Sequence, residues 1–397
     1  MSKLQHQTLV ARYGVNTDSS HGAVIPPLHL SSTFAFQRFG EKGQYDYTRS
    51  GNPTRDQLAG ALATVEGGAG AVITSSGMSA VHLVTQLLQP DDVLVAPHDC
   101  YGGCHRLFTA AARKQQFRLE WLPLWETDVA VYAIAALKPR VVWIETPSNP
   151  LLRITDIEKV ASAAHAAGAL VVVDNTFMSP AGQKPTELGA DVVVHSTTKY
   201  INGHSDVVGG AVIARQADLV EELTWWANCL GLTGSPFDSF QSLRGLRTLA
   251  VRYRQHQENA LAIAHALENN ELVERVYFPG LESHPGHEIA AKQQQGFGAM
   301  ISFEIAAREE EISVFVEALQ LFTLAESLGG VESLIAHPSS MTHAAMSAED
   351  QAKAGISSRL LRLSVGIEHV EDLLADLQNG FSAVLKRRRQ SPVRGVA

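Results

Sequence analysis

The sequence predicts an α/β fold: a mostly parallel sheet covered on both faces, a smaller α+β domain after it, and an extended arm before it. Three observations carry this. Short apolar strands alternate with helical stretches from about residue 61 to 255. Polar, proline- and glycine-containing chain precedes them, and a different strand and helix pattern follows. The expected organisation is therefore an arm over 1–60, a large domain over 61–255 and a small domain over 256–397.

The arm contains Gly14, Gly22, Pro26, Pro27 and Pro53 and has little periodicity. Within it, Tyr45-Asp-Tyr47-Thr-Arg49-Ser50-Gly-Asn-Pro53-Thr-Arg55 reads as a turn leading into a helix from Arg55, with Leu58, Leu62 and Val65 on one face. Arg49 before that turn is an anion-binding candidate or simply a solvated arginine. Next comes a strand from Gly70, the small residues Ser75-Ser76-Gly77, and a helix from Met78 to Leu88. A strand running through small residues into a helix leaves free N–H groups at the helix N-terminus, where a phosphate can bind. The stretch is neither a Walker A loop nor G-x-G-x-x-G.

Further strands are expected at Val93–Ala96, Val141–Glu145, Leu170–Asp174, Asp191–His195 and Val207–Ile213. Tyr101-Gly-Gly opens a helix after the first of these, and a helix from Asp156 to Ala167 stops at Gly168. Ligands of such sheets bind beyond the carboxyl ends of the strands, and Asp174 and Lys199 both stand at such ends. One long helix is expected from about Ser242 to Asn269, followed by strands near Ala299–Phe303 and Leu360–Ser364.

The most informative segment is Asp191-Val-Val-Val-His195-Ser196-Thr-Thr198-Lys199-Tyr. A lysine at the mouth of an apolar strand is disfavoured as an ammonium and is a candidate nucleophilic amine, able to form a Schiff base with a carbonyl compound. The hydroxyls before it suit a phosphate. Together they suggest pyridoxal phosphate (PLP); a strand that ends in a solvated lysine is the plainer reading of the segment alone. PLP chemistry also needs an acid for the pyridine nitrogen, an aromatic ring to stack on, and a cation for a substrate carboxylate. Asp174, Tyr101 and Arg362 are the candidates. Their structural alternatives are a strand-end carboxylate binding backbone N–H groups, core packing, and a buried ion pair.

The remaining features exclude more than they assign. The chain has 397 residues, 45% hydrophobic and 18% charged, with a net charge of −9, which argues against nucleic-acid or anionic-lipid partners. Lys386-Arg387-Arg388-Arg389 reads as a solvated helix end. Three cysteines, Cys100, Cys104 and Cys229, have neither disulfide-framework nor zinc-site spacing. With no signal-peptide core and no membrane-length apolar run, a cytoplasmic protein without a metal is expected. Trp225-Trp226 reads as packing, and His287-Glu288 lacks the second histidine of a zinc hydrolase because Ala291 stands there.

Taken in order, Tyr47-Thr-Arg49-x-Gly-Asn-Pro-Thr, Ser75-Ser-Gly77-Met78, Tyr101-Gly-Gly, Glu145-Thr-Pro-Ser-Asn-Pro, Val173-Asp174-Asn-Thr, His195-Ser196-x-Thr198-Lys199-Tyr-x-Asn-Gly-His and Ser327-Leu-Gly-Gly-Val-Glu resemble the Cys/Met-metabolism family of PLP enzymes over nearly the whole chain. The resemblance implies a fold-type I, aminotransferase-like subunit in a homotetramer of two tight dimers. It implies that Lys199 is the cofactor-bearing lysine and proton shuttle, Asp174 the pyridinium partner, and Tyr101 the stacking ring and acid/base. Gly77, Met78, Ser196 and Thr198 are the implied phosphate cradle, and Tyr47 and Arg49 reach the phosphate of a neighbouring subunit. Arg362, with Asn149 and Ser327, is the implied α-carboxylate clamp.

Ala96-Pro-His-Asp-Cys-Tyr-Gly-Gly and Trp225-Trp-Ala-Asn resemble the family's γ-replacing members in particular. The implied reaction is replacement of the acyl group of an O-acylhomoserine by cysteine to give cystathionine. Glu326 would favour γ-chemistry and bind an incoming amino group, and Arg106 would pair with the distal carboxylate of a succinyl group. Ser50 departs from relatives that carry a second arginine there, which leaves succinyl and acetyl esters both open. Other activities in the family, a lyase or a sulfhydrylase, and a PLP-binding protein without turnover are the alternatives.

Overall fold

Strands here are short and β-branched, and most are buried along their whole length, as a sheet covered on both faces requires. The computed structural model describes residues 4–344 and 346–390. In the first sheet these strands are β1 (Gly70–Thr74), β2 (Val93–Pro97), β3 (Arg118–Leu122), β4 (Val141–Glu145), β5 (Leu170–Asp174), β6 (Val192–His195) and β7 (Gly210–Ala214). Their order is β1-β7-β6-β5-β4-β2-β3. The run from β6 to β3 is parallel, whereas β7 lies antiparallel to both its neighbours. The register sets Glu145 at the end of β4 beside Asp174 at the end of β5. The sequence reading began the last strand at Val207. Pairing begins only at Gly210, because the Gly209 N–H is taken by Thr198 Oγ1.

Helices that flank this sheet begin where their capping residues dictate. Asn52 accepts from the N–H groups of Thr54 and Arg55, and Pro53 fills the first turn, so the helix Pro53–Glu66 starts two residues earlier than expected. Ser76 caps Gly77–Thr85 by accepting the Ser79 N–H. The chain then tightens through i→i+3 bonds at Leu87 and Leu88, so this helix is shorter than expected. Asp156 caps Ile157–Ala166, and Gly168 follows at φ +79°. Trp143, Phe108, Leu94 and Val172 centre the core, with Phe108 edge-on to Trp143 at 5.3 Å.

The chain divides into two compact units. The first comprises residues up to Thr146, Thr155–Val251 and Gln293–Gln295; the second comprises Pro147–Ile154, Arg252–Lys292 and the chain from Gly296. Thus the arm counts with the first unit, and Pro147–Ile154 belongs to the second although it lies between β4 and β5 in sequence. The second unit has a mainly antiparallel sheet of β8 (Val273–Tyr277), β9 (Met300–Ile305), β10 (Thr323–Leu324), β11 (Leu334–Ala336) and β12 (Leu360–Ser364), in the order β10-β11-β12-β9-β8.

Further expectations are corrected. The long helix from Ser242 is two helices, Pro236–Leu246 and Leu249–Glu268. Gly245 passes so close to the Asn202 carbonyl that no side chain fits there. The basic tail is not wholly solvated. Lys386, Arg387 and Arg389 are exposed, but Arg388 donates to Glu311 Oε2 at 2.9 Å and to the Ala306 carbonyl at 2.8 Å. Trp226 packs on the core as expected, whereas Trp225 is exposed. Among the described residues, no helix is long and apolar enough to cross a membrane.

Candidate active site

Three strand ends in the first unit carry the candidate residues. β6 ends at His195, and the turn Ser196–Lys199, closed by the Lys199 N–H to the Ser196 carbonyl, delivers a half-buried Lys199. Beside it β5 ends in Asp174. The residue is partly accessible, but its carboxyl is enclosed, and burial pushes it above the ordinary carboxylate range. Hydrogen bonds from Thr176 and the electrostatic influence of His195 pull the other way. Thr176 acts as a latch: its N–H donates to Asp174 Oδ1 at 3.0 Å, while its Oγ1 accepts the Ser196 N–H at 2.9 Å. Asp174 and the lysine turn are thereby tied together.

Tyr101 stands just before the helix Gly102–Arg113, and its ring is exposed, not packed in the core. Its N–H donates to Glu145 Oε2 at 2.8 Å. A Cβ at position 103 would fall 2.5 Å from Tyr101 Cε1 and 2.7 Å from Met78 Sδ, so Gly103 is what lets these two side chains converge. Similarly, a Cβ on Gly77 would lie 2.8 Å from Ser196 Cβ, which brings the start of helix Gly77–Thr85 against the lysine turn. Thr198 is engaged in the frame: Oγ1 donates to the Gly209 carbonyl and accepts its N–H.

These residues fit PLP. A helix N-terminus meets the Ser196 hydroxyl in a cradle that a single methyl would fill, which suits a phosphate. The enclosed carboxyl of Asp174 is chemically matched to a protonated pyridine nitrogen, and the Tyr101 ring to a stacked heterocycle.

Tyr47 and Arg49 are not joined to this cluster. Arg49 donates to the Asn228 carbonyl and Oδ1 at 2.8 and 2.7 Å and lies over the Tyr47 ring. Arg106 is exposed on the helix Gly102–Arg113. In the second unit, buried Arg362 on β12 donates from Nη1 to Asn149 Oδ1 at 2.8 Å and from Nη2 to the Ser327 carbonyl at 3.1 Å. All three clamp candidates therefore meet, while Glu326 is exposed next to Ser327.

Sequence reasoning assigned no role to Glu145 or Thr176. Glu145 had a usable signal, since it ends an apolar strand as Asp174 does. Its carboxylate, that of Asp174 and the Cys104 thiol lie within 4.8 Å of one another. Thr176 had none.

Comparison with known proteins agrees with this geometry. Residues 7–382 match the family described as Cys/Met metabolism PLP-dependent enzyme. The chain is 56% identical over 380 residues to the cystathionine γ-synthase of Escherichia coli strain K12, covering 96% of this chain and 98% of that one. It is 48% identical to a cystathionine γ-lyase of Dictyostelium discoideum, over 94% of this chain and 97% of the relative. A crystal structure of cystathionine γ-synthase from Xanthomonas oryzae pv. oryzae in complex with cystathionine superposes with a TM-score of 0.95 at 61% identity, covering 97% of this chain and 100% of that one. The fold is PLP fold-type I, and the cofactor is pyridoxal phosphate. With its lysine turn, acid and ring in place along such a length of shared sequence, the chain belongs to the Cys/Met-metabolism family of PLP-dependent enzymes.

Proposed function

We propose that the chain catalyses γ-replacement on an O-acylhomoserine, with cysteine as acceptor and cystathionine as product. The observation that carries this is the ranking of relatives: synthases at 56 and 61% identity stand above the γ-lyase at 48%. Bound PLP supplies an electron sink for charge that develops next to the substrate's amino-bearing carbon. The residues do the rest. Asp174 holds the ring-nitrogen proton, and Gly77, Met78, Ser196 and Thr198 form the phosphate cradle. Lys199 Nζ moves protons between Cα, Cβ and the leaving side, with Tyr101 as the second acid/base and stacking ring. Arg362, oriented by Asn149 and Ser327, binds the α-carboxylate as a fork. Glu326 receives the amino group of cysteine, and Arg106 the distal carboxylate of a succinyl leaving group.

A homotetramer of two tight dimers, with Tyr47 and Arg49 serving a neighbour's phosphate, belongs to the same reading. Its support is the arm, where Val24, Leu30, Phe36 and Phe39 are exposed apolar side chains in need of cover. Free thiols at Cys100, Cys104 and Cys229 support a cytoplasmic setting. The division into arm, large and small domains at about 60 and 255 is likewise part of the proposal.

Purified holoenzyme incubated with O-succinylhomoserine, with and without cysteine, tests the function. Cystathionine should form only with cysteine. Release of 2-oxobutyrate without any cystathionine would replace this reading by the γ-lyase one, which the Dictyostelium relative keeps in view.

A further inference from the structure

A buried polar network lies behind Asp174, and the reaction as described does not use it. Glu66 is the last residue of the helix Pro53–Glu66 and is fully buried. The C-terminus of a helix is a poor place for a carboxylate, because the helix dipole is negative there. Its Oε1 accepts His195 Nε2–H at 2.5 Å and Asn175 Nδ2 at 3.0 Å. Its Oε2 has no hydrogen-bond partner among the described residues. Asn175 is fixed in turn by Gln183, which accepts at its carbonyl at 2.9 Å and donates from Nε2 at 3.1 Å. His195 is itself 1% exposed.

The strand register places this network. Asp174 pairs with Val194, and the Asn175 N–H bonds the Val194 carbonyl. Since side chains alternate across a strand, His195 and Asn175 share the face opposite Asp174. His195 therefore reaches Asp174 by its field and not through a hydrogen bond. Two uncharged amides would tie helix to sheet equally well, and a buried ion pair adds little stability over a well-packed neutral pair. What a charged pair adds is potential at the tip of β5.

We propose that His195, held by Glu66, is a positioning residue for charge: from the far face of the sheet it keeps Asp174 ionised, and so keeps the proton on the cofactor's ring nitrogen. The lowering that His195 exerts on Asp174, against its burial, agrees in sign. Other ionisable groups near Asp174 include Lys199 on the turn tied to it, Glu145 on β4, and the thiols of Cys100 and Cys104, which burial keeps protonated. Besides His195, His6 interacts electrostatically with Glu66.

The inference rests on PLP binding alone, and its test needs no turnover, so its failure would leave the γ-replacement reading intact. The visible band of the bound cofactor is titrated with pH in the parent holoenzyme and in Glu66→Gln and His195→Gln, which keep hydrogen-bonding groups but remove charge. A protonated ring acidifies the lysine–cofactor linkage. Loss of that proton to Asp174 should therefore raise the midpoint by about one pH unit in both variants and weaken PLP binding about tenfold. Folded variants with the parent midpoint overturn the proposal. Parent holoenzyme loaded with ring-15N cofactor provides a reading that needs no variant. Its nitrogen should show the protonated shift, and a neutral nitrogen would overturn the proposal by itself.

Discussion

Gly77→Ala probes the phosphate cradle with one methyl group. The new Cβ would lie 2.8, 3.0 and 3.1 Å from Ser196 Cβ, Oγ and Cα. Carbon atoms rest at about 3.5–4.0 Å, so Ser196 must retreat by roughly 0.7 Å. Gly77 is not in the left-handed region, so backbone strain does not confuse the result. The retreat pulls on the Ser196 N–H bond to Thr176, and through the Thr176 latch on Asp174 Oδ1. Overpacking of this kind costs about 1–3 kcal/mol. If the bound form bears that cost, PLP affinity falls by about 5- to 150-fold. Titrating apoprotein with PLP, followed by visible absorbance, reads the affinity, and thermal melts with and without cofactor read the fold. A variant that binds PLP with the parent dissociation constant and melts with the parent would refute the idea that Gly77 and Ser196 form one cradle.

Other variants address the rest of the machinery. Arg362→Lys keeps the charge but loses the fork that meets Asn149 and the Ser327 carbonyl. KM for the amino-acid substrate should rise about 10- to 100-fold, and an unchanged KM would remove Arg362 from the clamp. Glu326→Ala, at an exposed position, should weaken cysteine-dependent synthesis without moving the melting temperature, and parent kinetics would show that this glutamate is misassigned. Glu311→Gln is a test of stability against pH. Hydrogen bonds from Arg388, then Arg308, hold the Glu311 carboxyl down to about 2 from its ordinary value of 4.5, outweighing its burial. A depressed folded-state value stabilises above the unfolded value and is lost as pH falls through the folded one. The full linkage is about 3 kcal/mol, which the exposure of both guanidinium groups cuts to about 1–2 kcal/mol. Urea unfolding should show that gap at about pH 7 and shrink it to roughly a quarter by about pH 2.5; an equal gap at both would contradict the ionic origin.

Residues that end strands were the readable part of this chain. Lys199, Asp174 and Tyr101 each follow an apolar run, and the alternating pattern alone sends such residues to one edge of a parallel sheet. Gly77 was readable for the same reason, standing between a strand and a helix. What could not be read depends on contacts between distant parts of the chain. Arg49 finds Asn228 at a sequence separation of 179, and Arg388 finds Glu311 at 77. No local pattern announces either partner. The helix break at Arg247–Thr248 was hidden because the apolar spacing continues through it, while the close approach of Gly245 to Asn202 is a tertiary event. Pro147–Ile154 falls inside the 61–255 stretch expected to form the large domain, and only its backbone neighbours assign it to the other unit.

Glu145 and Asp174, side by side at the tips of adjacent strands, have a consequence for the empty protein. With a cationic ring bound there, two nearby carboxylates are tolerable; without it, the burial of Asp174 favours taking up a hydrogen ion. Departure of the vitamin is thus a proton-consuming event, and mild acid should loosen its hold by mass action before any part of the fold gives way.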